Sequence, residues 1–296
     1  MTELHITVDD LISIKGKTVL ITGCSSGIGN ATLQLCLQLG ANIIAGDLTP
    51  LSEDILNTPD LLFAKTDVTD WHSIRALFIA GYQHFGQIDH VFANAGIKPT
   101  RNFLDATLDA DGLLAPPDLA TINVNFLGVI NTVRLAMHYL RQDSVDSKSR
   151  SIVLSASASA IQNFPAPDYC TTKHGVVGLL HGLTGELEST LRINAIAPSW
   201  TASGIVIREV VETLGAEVQD AEVVARSVLK LFVDFDRHGE ILYSWNGRFF
   251  EINKAKGGLL DSAAKLLPDT VSEDEIMTRL VGVVAAVEGE QAVNGS

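Results

Sequence analysis

Tyr169 and Lys173 stand in a Tyr-x-x-x-Lys array, and at helical spacing their side chains leave one face of a helix as neighbours. A phenol that titrates near 10 is a poor proton carrier at neutral pH, but a close ammonium favours the phenolate and makes exchange feasible. The same array also occurs as an ordinary solvated helix pair, so its position must decide. A second constellation, TVLITGCSSGIGNATLQLC, sets Gly23, Gly27 and Gly29 where an apolar run of strand length meets a helix-period stretch. Lacking side chains, these glycines allow backbone N–H groups and a helix N-terminus to approach a pyrophosphate. Asp47 ends the next apolar run. A carboxylate there can accept both hydroxyls of an adenosine ribose and would repel a 2′-phosphate. No Lys or Arg occupies 24–26 or directly follows Asp47, which favours NAD over NADP as cofactor.

Such groups need a scaffold, and the chain supplies an alternation of strand-length apolar runs with longer helix-period stretches. TVLITG precedes a helix over 30–39; ANIIAGD and DLLFAKTDV precede one over 71–85; IDHVFANAG precedes one over 121–140; SIVLSAS precedes one over 169–188; LRINAIAP follows. Repeated βαβ units with doubly apolar strands predict an α/β fold, a doubly wound parallel sheet of Rossmann type with helices on both faces. Right-handed crossovers place the carboxyl ends of the strands, and any ligand, along one rim. After Pro198 the pattern weakens into a loop and helical segments. ILYSW and RFFEI then flank Asn246-Gly247, a tight-turn signal that closes the core near Ile252. The expected organisation is a single dinucleotide-binding catalytic domain over 1–256, with a substrate loop at about 199–220, and a C-terminal helical extension over 257–296. Within that extension, Ser272 and Glu275 read as a capping box opening a helix toward Val287.

The chain has 296 residues, 46% of them hydrophobic and 19% charged, enough apolar surface for a large core. Its net charge of -14 disfavours nucleic acid and anionic membrane surfaces, whose phosphates would be repelled. The acidic opening MTELHITVDD is unlike a leader, and no run approaches the roughly 18 apolar residues of a spanning helix, so a cytoplasmic protein is expected. Cys24, Cys36 and Cys170 are odd in number and widely spaced, which reads as free thiols in a reducing compartment. The histidines show no ligand spacing, and no metal is implied.

Thr22 to Gly29 reads TGxxxGIG, and through this segment the chain resembles the short-chain dehydrogenase/reductase family, with a likeness that spans 15–198 and fades beyond. The resemblance implies that SIVLSASASA ends in a catalytic serine, Ser157, with Ser155 as the competing register. Ser157 would donate to the substrate oxygen, Tyr169 would exchange its proton, and Lys173 would support Tyr169 and hold the nicotinamide ribose. In INVNFLG it implies Asn125 as a fourth member, organising a water that relays protons to Lys173, with Asn123 as the alternative. For the cofactor it implies Gly23, Ser25, Ser26, Gly27, Ile28 and Gly29 around the pyrophosphate and Asp47 on the ribose. Asp67 and Val68 would border the adenine, and Asn94, Ala95 and Gly96 would lie beside its ribose. Tyr169, Lys173, Pro198 and Ser203 would line the nicotinamide half. Ser199 stands where the family has glycine, and a serine enters positive φ less freely.

The implied activity is NAD(H)-dependent interconversion of a secondary alcohol and a ketone. Phe103, Leu104, Leu113, Leu114, Trp200, Ile205 and Val206 suggest an apolar pocket for a sizeable, weakly charged substrate. FANAG, VNFLG and the acidic strand end resemble the NAD-linked hydroxyprostaglandin-dehydrogenase-like branch. Family helices matching 121–140 and 169–188 imply a homodimer or homotetramer. Two other readings stay open: a redox-neutral isomerase or cyclase on the same fold, and a non-catalytic dinucleotide-binding protein.

Overall fold

A computed structural model describes residues 1–99, 104–142, 149–187, 191–203, 206, 208–266, 271, 275–276 and 279–280. Phe103, Ile205, Ser272 of the expected capping box, and Val287 lie outside the described residues.

Among the described residues the apolar runs form nine strands in one sheet: β1 (Thr2–Leu4), β2 (Thr18–Thr22), β3 (Asn42–Asp47), β4 (Leu61–Lys65), β5 (His90–Ala93), β6 (Ser151–Ser155), β7 (Arg192–Pro198), β8 (Ile241–Trp245) and β9 (Arg248–Glu251). Their order is β1-β9-β8-β7-β6-β5-β2-β3-β4. Strands β2 to β8 pair in parallel, while β9 on β8 and β1 on β9 are antiparallel. The helices are α1 (Gly27–Gln38), α2 (Glu53–Leu56), α3 (Trp71–Phe85), α4 (Ala120–Ile122), α5 (Gly128–Tyr139), α6 (Pro167–Leu187), α7 (Arg208–Thr213), α8 (Ala221–Val233) and α9 (Leu259–Ala264).

Strand side chains alternate between two largely apolar faces. Leu20, Ile44, Val91, Ile152 and Leu154 enter one core, under α3, α5 and α6; Val19, Ile21, Ile43, Phe92 and Val153 enter the other, under α1 and α8. Because β2 lies between β3 and β5, the chain winds outward in opposite directions from it. The carboxyl ends of β2 and β5 therefore flank the crevice where ligands of such sheets bind. The β8–β9 turn places both central residues at positive φ, Asn246 at 44° and Gly247 at 79°, as a two-residue hairpin requires.

Four features go beyond the sequence expectations. β1 is too short to show a period, yet it closes the sheet edge, with Glu3 paired twice to the Arg248 guanidinium at 2.8 and 2.9 Å. α2 is a single turn. A π-helical turn, Asn123–Leu127, joins α4 to α5. Residues 107–115 form a small exposed hairpin, bridged at Leu108 and Leu114 and turned on Asp109.

Buried polar groups brace the opposite rim. Arg192, 3% exposed, donates to the carbonyls of Leu231 (2.8 Å), Phe232 (2.5 Å) and Asp234 (2.9 Å) at the end of α8. One cation thus satisfies terminal carbonyls and faces the negative end of the helix dipole. Arg192→Met should cost about 3 kcal/mol of stability, because carbonyls out of reach of water lose a charged donor. The shift in the urea midpoint measures it, and an unchanged midpoint would show that water replaces the guanidinium.

Candidate active site

The glycine loop lies at the crevice. Gly23 and Gly27 hold φ at 68° and 53°, and both are needed for close approach as well. A Cβ on Gly23 would stand 2.6 Å from Ala95 Cα, one on Gly27 3.1 Å from Ser203 Cβ, and one on Gly29 2.0 Å from the Gly23 carbonyl oxygen. Ser26 precedes α1 in extended conformation without capping it through its side chain, and the first turn of α1 has no acidic residue. The N-terminal amides and positive dipole end of a twelve-residue helix therefore face the loop, a donor set suited to a pyrophosphate. Ile28 turns inward and packs on the core beneath.

Asp47, at the end of β3, is fixed against this loop. Its carboxylate accepts from the Ser25 amide (2.9 Å) and the Thr49 amide (2.9 Å), while the Ser25 hydroxyl donates to the Thr49 carbonyl. Asp67 accepts from the Thr69 amide (2.9 Å) and hydroxyl (2.7 Å), and the Val68 carbonyl accepts from Asn131 of α5 (3.0 Å). Asn94 bridges the crevice, its Nδ2 donating to the carbonyls of Thr22 (3.1 Å) and Gly23 (2.9 Å). The Thr22 hydroxyl accepts in return from the amides of Asn94 (3.1 Å) and Ala95 (3.2 Å). Thr22 was not singled out in the sequence, although it is the first letter of the TGxxxGIG segment.

On the other side of β5 stand the groups able to move a proton. Ser157 opens a 3-10 turn, where its hydroxyl accepts from the Ser159 amide at 3.2 Å and lies near enough to Tyr169 to favour its phenolate. Tyr169 and Lys173 share a face of α6, with Nζ 5.6 Å from the ring centroid. Lys173 is 4% exposed and donates to the Ser155 carbonyl at 2.7 Å. Ser155 thus contributes a backbone oxygen, and it is the Ser157 hydroxyl that acts on the tyrosine. Asn125 is fully buried on the π-helical turn, and its amide clasps one residue: Oδ1 accepts from the Ile97 amide (2.7 Å) and Nδ2 donates to the Ile97 carbonyl (2.8 Å). It secures the segment that follows Gly96. Asn123 is exposed.

The electrostatics differ from the sequence expectation. Burial pushes the Tyr169 phenol above its ordinary value, opposed by the Ser157 hydroxyl, and burial pulls the Lys173 ammonium down to about 8. Both members of the pair are desolvated, so the neutral forms gain before any attraction between the charged ones is counted.

The rim beyond β7 supplies a wall. Ser199, in place of the glycine, does not adopt positive φ, and its amide donates to the Ser244 carbonyl at 2.9 Å. Pro198 is buried at the strand end. Phe164 lies 6.3 Å from the Tyr169 ring and 5.8 Å from the Trp200 ring, so aromatic faces adjoin the phenol. Phe164 carries no sequence signal beyond lying between the serine and the tyrosine. Cys170 turns away from the centre, its Sγ donating to the Phe164 carbonyl at 3.2 Å. Among the described residues, no group of three His, Cys, Asp or Glu could hold a metal, and no helix is long and apolar enough to cross a membrane.

Comparisons with known proteins agree with this arrangement. The family profile of the short chain dehydrogenases matches residues 17–212. The short-chain dehydrogenase/reductase ascJ of Acremonium egyptiacum is 37% identical over 288 residues, covering 95% of this chain and 96% of its own. The short-chain dehydrogenase/reductase prx4 of Penicillium roqueforti is 33% identical, over 77% of this chain and 69% of its own. Among solved structures, levodione reductase superposes with a TM-score of 0.65 at 24% identity, over 79% of this chain and 98% of that one. The 3-ketoacyl-(acyl-carrier-protein) reductase of Brucella melitensis complexed with NADH gives 0.66 at 21% identity, over 78% and 97%. The structural likenesses carry the fold, whereas the profile and the end-to-end relative carry the lineage: the chain belongs to the short-chain dehydrogenase/reductase family of oxidoreductases.

Proposed function

We propose that the protein interconverts a secondary alcohol and a ketone on a bulky, weakly charged carbon skeleton, using NAD(H), with Tyr169 as the general acid/base. The observation that carries this reading is the meeting of Ser157, Tyr169 and Lys173 at the strand rim, beside a glycine loop whose helix amides suit a pyrophosphate. The dinucleotide, when bound, supplies the hydride acceptor for oxidation or the donor for reduction. Gly23, Ser25, Ser26, Gly27, Ile28 and Gly29 would hold its pyrophosphate, Asp47 its adenosine ribose, and Asp67, Val68, Asn94, Ala95 and Gly96 the adenine side. Lys173, Pro198 and Ser203 would hold the nicotinamide half.

In oxidation Tyr169 takes the proton of the substrate hydroxyl; in reduction it returns one to the carbonyl oxygen. Ser157 donates a hydrogen bond to that oxygen and so stabilises the charge that develops there. Lys173 places a cation behind the phenol, and burial, which weakens both charges in the resting site, also strengthens their attraction once the phenolate forms. Asn125 acts through Ile97 by fixing the loop between β5 and the substrate side; the water relay expected of it remains part of the proposal. Phe164 and Trp200 favour an apolar substrate. A homodimer or homotetramer would associate through α5 and α6, where Gly178, Gly182 and Gly185 face open space and allow a neighbouring helix close approach.

A panel of bulky secondary alcohols with NAD, followed at the nicotinamide absorbance, tests the reading. NADH binding without turnover of any alcohol or ketone would favour the isomerase or sensor alternatives. Asp47→Ser should lower kcat/KM with NAD about tenfold and raise it with NADP, because the carboxylate both accepts the ribose hydroxyls and repels the 2′-phosphate. A wild-type protein that already prefers NADP in a side-by-side assay would refute the assignment of Asp47.

A further inference from the structure

The segment between β7 and α8 leaves the sheet at Ser199 and returns at Asp220, and one buried side chain holds its two ends together. Gln219 is 4% exposed. Its Nε2 donates to the Thr201 hydroxyl (3.2 Å), the Ser244 carbonyl (3.1 Å) and the Ser244 hydroxyl (3.1 Å). Its backbone N–H donates to the Trp200 carbonyl (3.0 Å), and its own carbonyl accepts from the Ala202 amide (2.9 Å). The outgoing strand, the returning strand and the carboxyl end of β8 therefore meet on this one residue.

Two walls of the site hang from that junction. Trp200 packs on Phe164, which packs on Tyr169. Three residues along, Ser203 lies against Gly27 of the glycine loop, so closely that a methyl there would come within 3.1 Å of its Cβ. We propose that Gln219 is a positioning residue that sets the aromatic wall at Tyr169 and the strand over the glycine loop as one unit. The proposal rests on reading these places as the substrate and dinucleotide sides of one site.

The chemistry of the junction separates positioning from stability. Without Nε2, the Ser244 carbonyl still accepts from the Ser199 amide, and the β7–β8 ladder from Ala195–Ile241 to Pro198–Ser244 does not involve Gln219. The sheet keeps its register and the segment at 200–202 keeps its two backbone bonds to residue 219, but it loses the side-chain donor that ties Thr201 to the end of β8. Leucine fills nearly the same volume and offers no donor.

Gln219→Leu should raise both KM for the alcohol and the NADH dissociation constant about tenfold, with kcat at saturation within about threefold of wild type. Its melting midpoint should stay within about 4 °C. Amide exchange at Ala202 should quicken. Thr201→Val, which removes one acceptor, should move the same quantities in the same sense and by less, and Thr201→Ser, which keeps the hydroxyl, should restore wild-type values. A Gln219→Leu protein with KM and NADH affinity both unchanged overturns the proposal, whatever its melting midpoint, and so does one in which only one of the two constants moves. Should Gln219→Leu fail to fold, the Thr201 pair decides by the same criteria. Should wild type turn over no alcohol, the active-site reading fails on its own; NADH affinity and Ala202 exchange then still support or overturn the role of Gln219.

Discussion

Tyr169→Phe should lower kcat by about three orders of magnitude while leaving NADH affinity within about twofold of wild type. The substitution deletes one oxygen and keeps the ring, so the packing against Phe164 and the cation contact from Lys173 persist. What disappears is the oxygen that the proposed mechanism makes the proton carrier, and with it the influence of the Ser157 hydroxyl on the phenol. Nothing in the glycine loop or around Asp47 depends on that oxygen, because the loop is held by Thr22, Asn94 and its own backbone. Loss of turnover with retained binding places Tyr169 in the chemical step. Near-normal kcat would remove it from the mechanism, and a parallel loss of NADH binding would recast it as part of the dinucleotide site.

Most of this architecture is legible in the residues because parallel strands covered on both faces must be largely apolar, and TVLIT, HVFA and SIVLS have apolar interiors with their polar residues confined to the strand ends. The helix over 71–85 is bounded by Asp70, which caps its first turn, and by left-handed Gly86, both local signals. Elements stabilised only by distant partners are not legible. β1 depends on a register with β9, almost the whole chain away, and the π-helical turn at Asn123–Leu127 accommodates a bond from Asn125 to Ile97 that no period encodes.

In the site, the serine, tyrosine and lysine follow from spacing and resemblance, because Ser157 comes directly after the end of β6 and the other two share one helix. Phe164, the Ser155 carbonyl and Gln219 do not, since their roles arise where separate loops converge. The rise of the tyrosine's pKa through burial is not legible for a related reason. Proximity of Lys173 can be inferred from a four-residue interval, but the burial of both groups is a property of the packed layers above them.

That burial leads to the second large effect. Lys173→Met should reduce kcat roughly a thousandfold, because the cation behind the phenol is lost, and should also flatten the dependence of stability on pH in the alkaline range. The Lys173 ammonium titrates at about 8 in the folded protein, against an ordinary value of 10.5, because burial disfavours its charge. Between those values the unfolded chain carries a proton that the folded chain does not, so wild-type stability rises with pH there. Below about 8 both states are protonated, and the folded state bears the whole penalty, on the order of 3 kcal/mol. Above 10.5 neither is charged and the penalty vanishes. Methionine has no such term, so its stability relative to wild type should be greatest at neutral pH and fall steadily from about 8 upward. The hydrogen bond to the Ser155 carbonyl, lost at every pH, offsets the comparison by a constant and leaves the slope untouched. Paired urea titrations at pH 7 and pH 10 read that slope. A difference between the two proteins that is the same at both values would mean that Lys173 keeps its proton in the folded protein as it does in the unfolded chain, and the burial penalty assigned to its ammonium would have to be withdrawn.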